Sequence, residues 1–214
     1  MEDNNMNSCL MLAVGLYTPV DLGSIFDSAD YKGTGLELDT HITVIYAQGK
    51  ILPRRMILED IKTILGDDWS GFEKMISKPN PFPVLDMFEL GSFENDSDYI
   101  VLKLKPEFTE IYDKLRLLNL SLRKKYGVSS EFSNYSPHIT LAELVPGTAQ
   151  KYLRSECLMN VLKDSMIDIE DLVISFGISG EVDDRKQYFL TQYKNIDRYF
   201  RLKHSKEDNK EVDG

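Results

Sequence analysis

The chain has 214 residues, with 25 Lys+Arg against 35 Asp+Glu, for a formal net charge of -10. Its 42% hydrophobic and 28% charged residues are ordinary for a globular chain long enough to bury a core without disulfides or metals. The acidic balance argues against long nucleic acid as a resting partner, because such proteins neutralise many phosphates with clustered Lys and Arg; a small anion held in one pocket remains compatible.

In chain order, residues 1–7 are polar and read as a loose end. Cys9 to Tyr17 reads as a buried strand, and Asp21 to Ala29 as a short helix capped by Asp21. Gly33 to Gly35 is a turn signal. Leu38 to Ala47 contains His-Ile-Thr-Val-Ile-Tyr, dense in β-branched residues and predicted as a strand. Ile57 to Leu65 has the apolar spacing of an amphipathic helix. Lys78 to Pro83, with three prolines, excludes a helix or a central strand and predicts a crossover between two halves. Val84 to Phe93 and Tyr99 to Leu104 read as a hairpin around Glu94-Asn-Asp-Ser; in the second strand Ile100, Leu102 and Leu104 alternate with Val101 and Lys103. Phe108 to Tyr126 is a long amphipathic helix closed by Gly127. Ser136 to Leu144 is a strand and Thr148 to Met166 a helix. Leu172 to Ile178 and Gln187 to Gln192 are the last strands, and His204 to Gly214 is a charged tail. The sum is an α+β pattern with largely antiparallel sheet.

Two cysteines, Cys9 and Cys157, sit among apolar neighbours and are expected to be buried free thiols, as in a reducing compartment. The acidic start is unlike a secretory signal, and no apolar stretch reaches the ~18 residues of a membrane span. A cytosolic location is expected, a host's cytosol for a viral chain.

One element repeats. Asp39-Thr-His41-Ile42-Thr43-Val-Ile-Tyr46 lies in the first half and Ser136-Pro-His138-Ile139-Thr140-Leu-Ala-Glu143 in the second, with the histidines 97 residues apart. The chain holds three histidines and nine threonines, so two histidines carrying Ile-Thr is a poor coincidence. On a strand, residues i and i+2 share a face. His41 and Thr43 therefore point one way, as do His138 and Thr140, while Ile42 and Ile139 point to the core. If the two strands lie together, two imidazoles and two hydroxyls surround one small volume. Imidazole is suited to proton transfer near neutral pH, and hydroxyls donate to anionic oxygens. That set suits in-line displacement at phosphorus. His204, in the tail, reads as solvated.

Two His-x-Thr strands at this separation, with Pro-His-Ile-Thr-Leu-Ala in the second, resemble the 2H phosphoesterase superfamily. That group includes LigT-like RNA ligase and cyclic phosphodiesterase proteins, eukaryotic 2′-5′ phosphodiesterases and phage anti-CBASS nucleases. The resemblance runs from Met11 to Tyr193 in order of elements and is specific only around the two motifs. Asp39 and Thr40 depart from the apolar residues often found before the first histidine. The resemblance implies a bilobal fold, two antiparallel-sheet lobes flanked by helices around a central groove. The domain would span 8–202, with lobes over 8–80 and 81–202 and a strand exchanged between them, and a disordered tail over 203–214. It also implies catalysis by His41, Thr43, His138 and Thr140 without metal or cofactor.

A groove of this kind needs a base platform. Tyr17, Tyr135 and Tyr46 lie nearest the motifs, and base stacking on such rings contributes ~1–3 kcal/mol. The expected substrate is a small cyclic or 2′-linked nucleotide, including a nucleotide immune messenger degraded by a phage protein; no membrane or long nucleic acid partner is expected, and the chain is expected to be a monomer. The alternatives are LigT-like RNA-end processing at 2′,3′-cyclic phosphates and a nucleotide-binding module without turnover. Neither H-E-x-x-H, C-x-x-C nor a glycine-rich phosphate loop occurs, which disfavours a metal hydrolase or an ATP-dependent enzyme.

Overall fold

The computed structural model describes residues 6–77, 80–129, 134–178 and 185–188. Its strands are β1 (Met6–Tyr17), β2 (Tyr31–Leu36), β3 (His41–Ala47), β4 (Phe82–Pro83), β5 (Phe88–Glu94), β6 (Asp98–Leu104), β7 (His138–Leu144), β8 (Met166–Ile178) and β9 (Arg185–Tyr188). Its helices are α1 (Arg54–Leu65), α2 (Trp69–Ser77), α3 (Val84–Met87), α4 (Thr109–Tyr126), α5 (Ala149–Leu153) and α6 (Glu156–Lys163). No described helix is long and apolar enough to cross a membrane.

The fold is α+β, with one curled antiparallel sheet in the order β4-β8-β1-β3-β7-β6-β5; β2 joins β7 and β9 joins β8. β1 lies between β8 and β3, and β6 lies between β5 and β7. The two groups meet where Ile42 of β3 pairs with Ile139 of β7. Further along, the same edge of β7 passes to β2, at Ala142 and Leu144. The sheet is therefore continuous through a narrow seam, and both His-x-Thr segments flank it.

One face of the sheet carries the core. Leu10, Leu12, Ile42, Val44, Ile100, Leu102, Ile139 and Leu141 are fully buried there, in one cluster with the apolar stripes of α1, α2, α4 and α6. Burying each of these side chains contributes about 1.5–3 kcal/mol. A slip of β3 by one residue would expose Ile42 and Val44 and bury His41 and Thr43, so core burial fixes which way the polar pair points. Met11 and Val101 are also buried but lie outside the core cluster, on the face opposite the helices. They floor the side that the histidines occupy.

Local chemistry sets the other boundaries. α4 ends at Gly127 in the left-handed region (φ 60), as its sequence predicts. Asp60 of α1 takes the Lys125 ammonium and the Tyr126 hydroxyl of α4, tying the two helices. Several expectations are corrected. The segment 21–29 forms two 3-10 turns, Leu22–Ser24 and Ser28–Asp30, because Asp21 and Asp27 each cap a separate turn through their side chains. The glycine turn at 33–35 lies within β2, where Gly33 and Gly35 take positive φ (57° and 68°). Val84 begins a helical turn, not a strand. The single helix expected from Thr148 is two, because the Ser155 side chain accepts from Leu158 N and starts α6 afresh. β1 starts at Met6, two residues into the expected loose end. Cys157 is exposed rather than buried, since α6 turns Leu158, Val161 and Leu162 inward, and Cys9 is only partly buried. The last expected strand is seen over Arg185–Tyr188; its continuation to Gln192, the segment 78–79 and the tail lie outside the described residues.

Candidate active site

The two motifs have the same local build. β3 and β7 each begin at the histidine, run seven residues and show nearly the same burial, with His and Thr partly exposed and the intervening Ile buried. His41 Nδ1 lies 2.7 Å from the Asp39 carbonyl, and His138 Nδ1 lies 2.8 Å from the Ser136 carbonyl. A carbonyl only accepts, so each Nδ1 carries the proton and each Nε2 is the titrating atom.

Three residues after each histidine there is a β-bulge. Val44 has no partner on β1, where Leu10 pairs with Ile45 and Met11 with Thr43. Leu141 has no partner on β6, where Ile100 pairs with Ala142 and Val101 with Thr140. The freed carbonyls are satisfied from elsewhere. Asn119 Nδ2 of α4 donates to Val44 O at 2.7 Å, and Glu37 N donates to Leu141 O at 2.9 Å. Bulges of this kind bend a strand and re-aim its side chains, and they are common beside active sites.

The antiparallel register through Ile42 and Ile139 sets His41 beside Thr140 and Thr43 beside His138. The structure thus brings all four sequence-predicted residues to one seam, each histidine next to the other motif's threonine. The outer neighbours match as well. Ala13 pairs with His41 on one side and Lys103 with His138 on the other. Val14 N donates to Thr40 O at 3.0 Å, and Leu104 N donates to Pro137 O at 3.0 Å. Thr40, unusual before the motif, also donates its hydroxyl to Val14 O at 2.6 Å and so anchors the start of β3 to β1. The Cys9 thiol lies 3.9 Å from the Thr43 hydroxyl.

The electrostatics of the two imidazoles differ. Burial lowers the pKa of His41, against which the Glu37 carboxylate favours the protonated ring. Burial also lowers the pKa of His138; the Ser136 carbonyl opposes this, while the positive charges of His41 and Lys103 add to it. The His41 charge thus reaches His138 across the seam.

The tyrosines divide. Tyr135 packs against the core and donates its hydroxyl to Thr43 O at 2.7 Å, and burial pushes its pKa up. It ties the second motif's approach to the first motif's strand, and its ring faces the core. Tyr17 lies past Ala13 on the histidine side of β1. Its hydroxyl donates to Glu170 Oε1 at 3.2 Å, and it lies over Gly15, where a Cβ would come within 2.8 Å of that hydroxyl. Glu170 is itself the bulged residue of β8, since Ala13 pairs with Asp171 and Val14 with Ile169. Tyr46 is 51% exposed, beyond the bulge of β3, at the end away from His41.

Sequence reasoning missed Phe93, Lys103 and Glu37. The Phe93 ring is edge-on to His138, with centroids 4.8 Å apart, and the Lys103 ammonium sits 4.6 Å from the Phe93 centroid. The alternation of β6 puts Lys103 opposite to the core, but its pairing with His138 is a long-range fact that no local signal carries. Among the described residues no group of three or more His, Cys, Asp or Glu side chains is placed to hold a metal ion.

No family model matches the chain, and no curated protein matches it. Among solved structures, Kluyveromyces marxianus Usb1 is similar at 11% identity and a TM-score of 0.40, covering 86% of this chain and 97% of that one. E. coli LigT complexed with 3′-AMP is similar at 10% identity and a TM-score of 0.38, covering 84% and 94%. The same Usb1 with uridine monophosphate gives 10% identity, a TM-score of 0.38, and coverage of 87% and 98%.

Proposed function

We propose that this chain is a phosphodiesterase that cleaves small cyclic or 2′-linked nucleotides by general acid–base catalysis between His41 and His138. The observation that carries this reading is the like-for-like placement of two His-x-Thr strands across one seam, with both Nε2 atoms left to titrate. A binding module need not retain two such proton carriers.

The flanking charges support one division of roles. Burial lowers the pKa of both rings; Glu37 opposes this at His41, whereas Lys103 adds to it at His138, so His138 is the better base and His41 the better acid. An attacking hydroxyl, of water or of a ribose 2′ position, gives its proton to His138 Nε2 as its oxygen bonds to phosphorus. The bond from phosphorus to the leaving oxygen breaks, and that oxygen takes the proton from His41 Nε2. The Thr43 and Thr140 hydroxyls donate to the non-bridging oxygens, where charge accumulates in the transition state. Exchange of one proton from His138 to solvent, and one from solvent to His41, restores the start.

A net charge of -10 favours a substrate bringing few phosphates. The test is to incubate the protein, in chelator, with 2′-5′, 3′-5′ and 2′,3′-cyclic nucleotides and cyclic oligonucleotide messengers, and to read products by mass. Cleavage of a small member, lost in His41→Ala and His138→Ala, is expected. Turnover that appears only on adding a divalent metal would contradict the two-imidazole mechanism. Cleavage of a cyclic oligonucleotide messenger above the others would support an anti-defence role.

A further inference from the structure

We propose that Lys103 is the substrate-phosphate anchor of this site, and that, because its counterpart across the seam is Ala13, it fixes the direction in which a nucleotide lies across the two histidines. The proposal rests on the phosphodiesterase reading and deepens it.

The two halves of the site are near copies. Thr43 pairs with Met11 on β1, and Thr140 pairs with Val101 on β6; both partners are buried apolar floor residues. The imidazole tethers, the bulges and the flanking backbone bonds also correspond. Beside the histidines the correspondence fails. His41 has Ala13 and His138 has Lys103. A symmetric site would accept a phosphodiester in either direction. A methyl on one side and an ammonium on the other cannot be equivalent to an anion.

Lys103 is held so that its charge is available to a ligand. Its stem crosses β5 at Gly91, where a Cβ would come within 2.9 Å of Lys103 Cε, so the bare glycine lets the stem lie flat on β5. The ammonium rests over the Phe93 ring, a contact that orients a cation without neutralising it. Glu89 faces Lys103 across β5 and β6, yet among the described residues no carboxylate lies within 4.0 Å of the ammonium. A cation set by packing beside a proton-transfer group, in an acidic chain, matches a phosphate oxygen. The Ala13 and Gly15 side, bordered by Tyr17 and Glu170, is left for the uncharged nucleoside end.

The experiment titrates inorganic phosphate into the full chain and follows the ring proton signals of His41 and His138 by NMR. It uses wild type, Lys103→Met, Lys103→Arg and Lys103→Gln. In wild type, phosphate should shift His138 more than His41. Lys103→Met should weaken phosphate binding about 10-fold or more, and Lys103→Arg should keep it within a few-fold. Lys103→Gln, which keeps a polar side chain and removes the charge, should weaken binding similarly; this arm decides the matter if Lys103→Met does not fold. Unchanged phosphate affinity in the folded Lys103→Met, or in Lys103→Gln when Lys103→Met fails to fold, would overturn the anchor. Because phosphate binding is read without turnover, that result leaves the histidine reading intact. Full turnover in His41→Ala or His138→Ala would remove the histidine reading without touching the phosphate result.

Discussion

His41 and His138 are tethered alike and flanked by different charges, and that difference is measurable. Replacing either by Ala should lower kcat by ~10²–10⁴, the usual range for a positioned acid or base, with the fold intact by circular dichroism. Thr43→Ala and Thr140→Ala should cost less, since each removes one donor and leaves both proton carriers. The pH dependence of kcat/KM should be bell-shaped and centred below the ordinary imidazole value of about 6.5, because both rings are held below it. Glu37 raises the affinity of His41 for its proton, so in Glu37→Gln the proton leaves at lower pH and the basic limb should move to the acid side. Lys103 and the His41 charge do the reverse at His138, so in Lys103→Met the acid limb should move up in pH. Limbs that stay in place in both variants would refute the assignment of acid and base.

At the scale of elements, the bulges after each motif depend on donors from outside the strand. Val44 O takes Asn119 Nδ2, while Asn119 Oδ1, buried, has no hydrogen-bond partner among the described residues. Asn119→Ala strands a buried carbonyl and should destabilise the protein by about 1–3 kcal/mol in a denaturant titration. Tyr135→Phe removes the donor to Thr43 O and should cost about 1 kcal/mol. A Tyr135→Phe variant that binds nucleotide more weakly at unchanged stability would restore Tyr135 as a substrate contact. Much of this level is legible in the sequence. The strands around His41 and His138 declare themselves by β-branched density and alternation, and α4 by its apolar stripe and Gly127. The start of β8 is not legible, because Asp168, Glu170 and Asp171 break the strand pattern. Their places emerge only in three dimensions. Asp168 accepts Asn80 N at 2.9 Å, Asp171 accepts Leu172 N at 2.7 Å, and Glu170 stands at a bulge against Tyr17. Lys103 is invisible as a site residue for the same reason. Local patterns give the facing of a side chain, and only the order of strands gives its neighbour.

For the whole molecule, the net charge of -10 is expected to make long polyanions poor substrates at low ionic strength. A cyclic dinucleotide or a 2′-5′ dinucleotide should be cleaved faster than long single-stranded RNA, and added salt should narrow the gap by screening the repulsion. RNA cleaved faster than every small nucleotide would refute this while leaving the two-histidine chemistry untouched. The ladder of β1 against β8 has a different consequence, in time rather than in chemistry. It runs from Met6 opposite Ile178 to Tyr17 opposite Met166, so it joins segments from opposite ends of the described fold. β1 is also the strand that backs His41. Pairings this distant along a chain form late, because loop closure must precede any reward for it, and folds dominated by them refold in milliseconds to seconds. On a ribosome, the first histidine strand is made early and then waits for more than a hundred further residues before the sheet that supports it can close. Activity should therefore arise all at once, with the return of β8, and not grow as the chain lengthens.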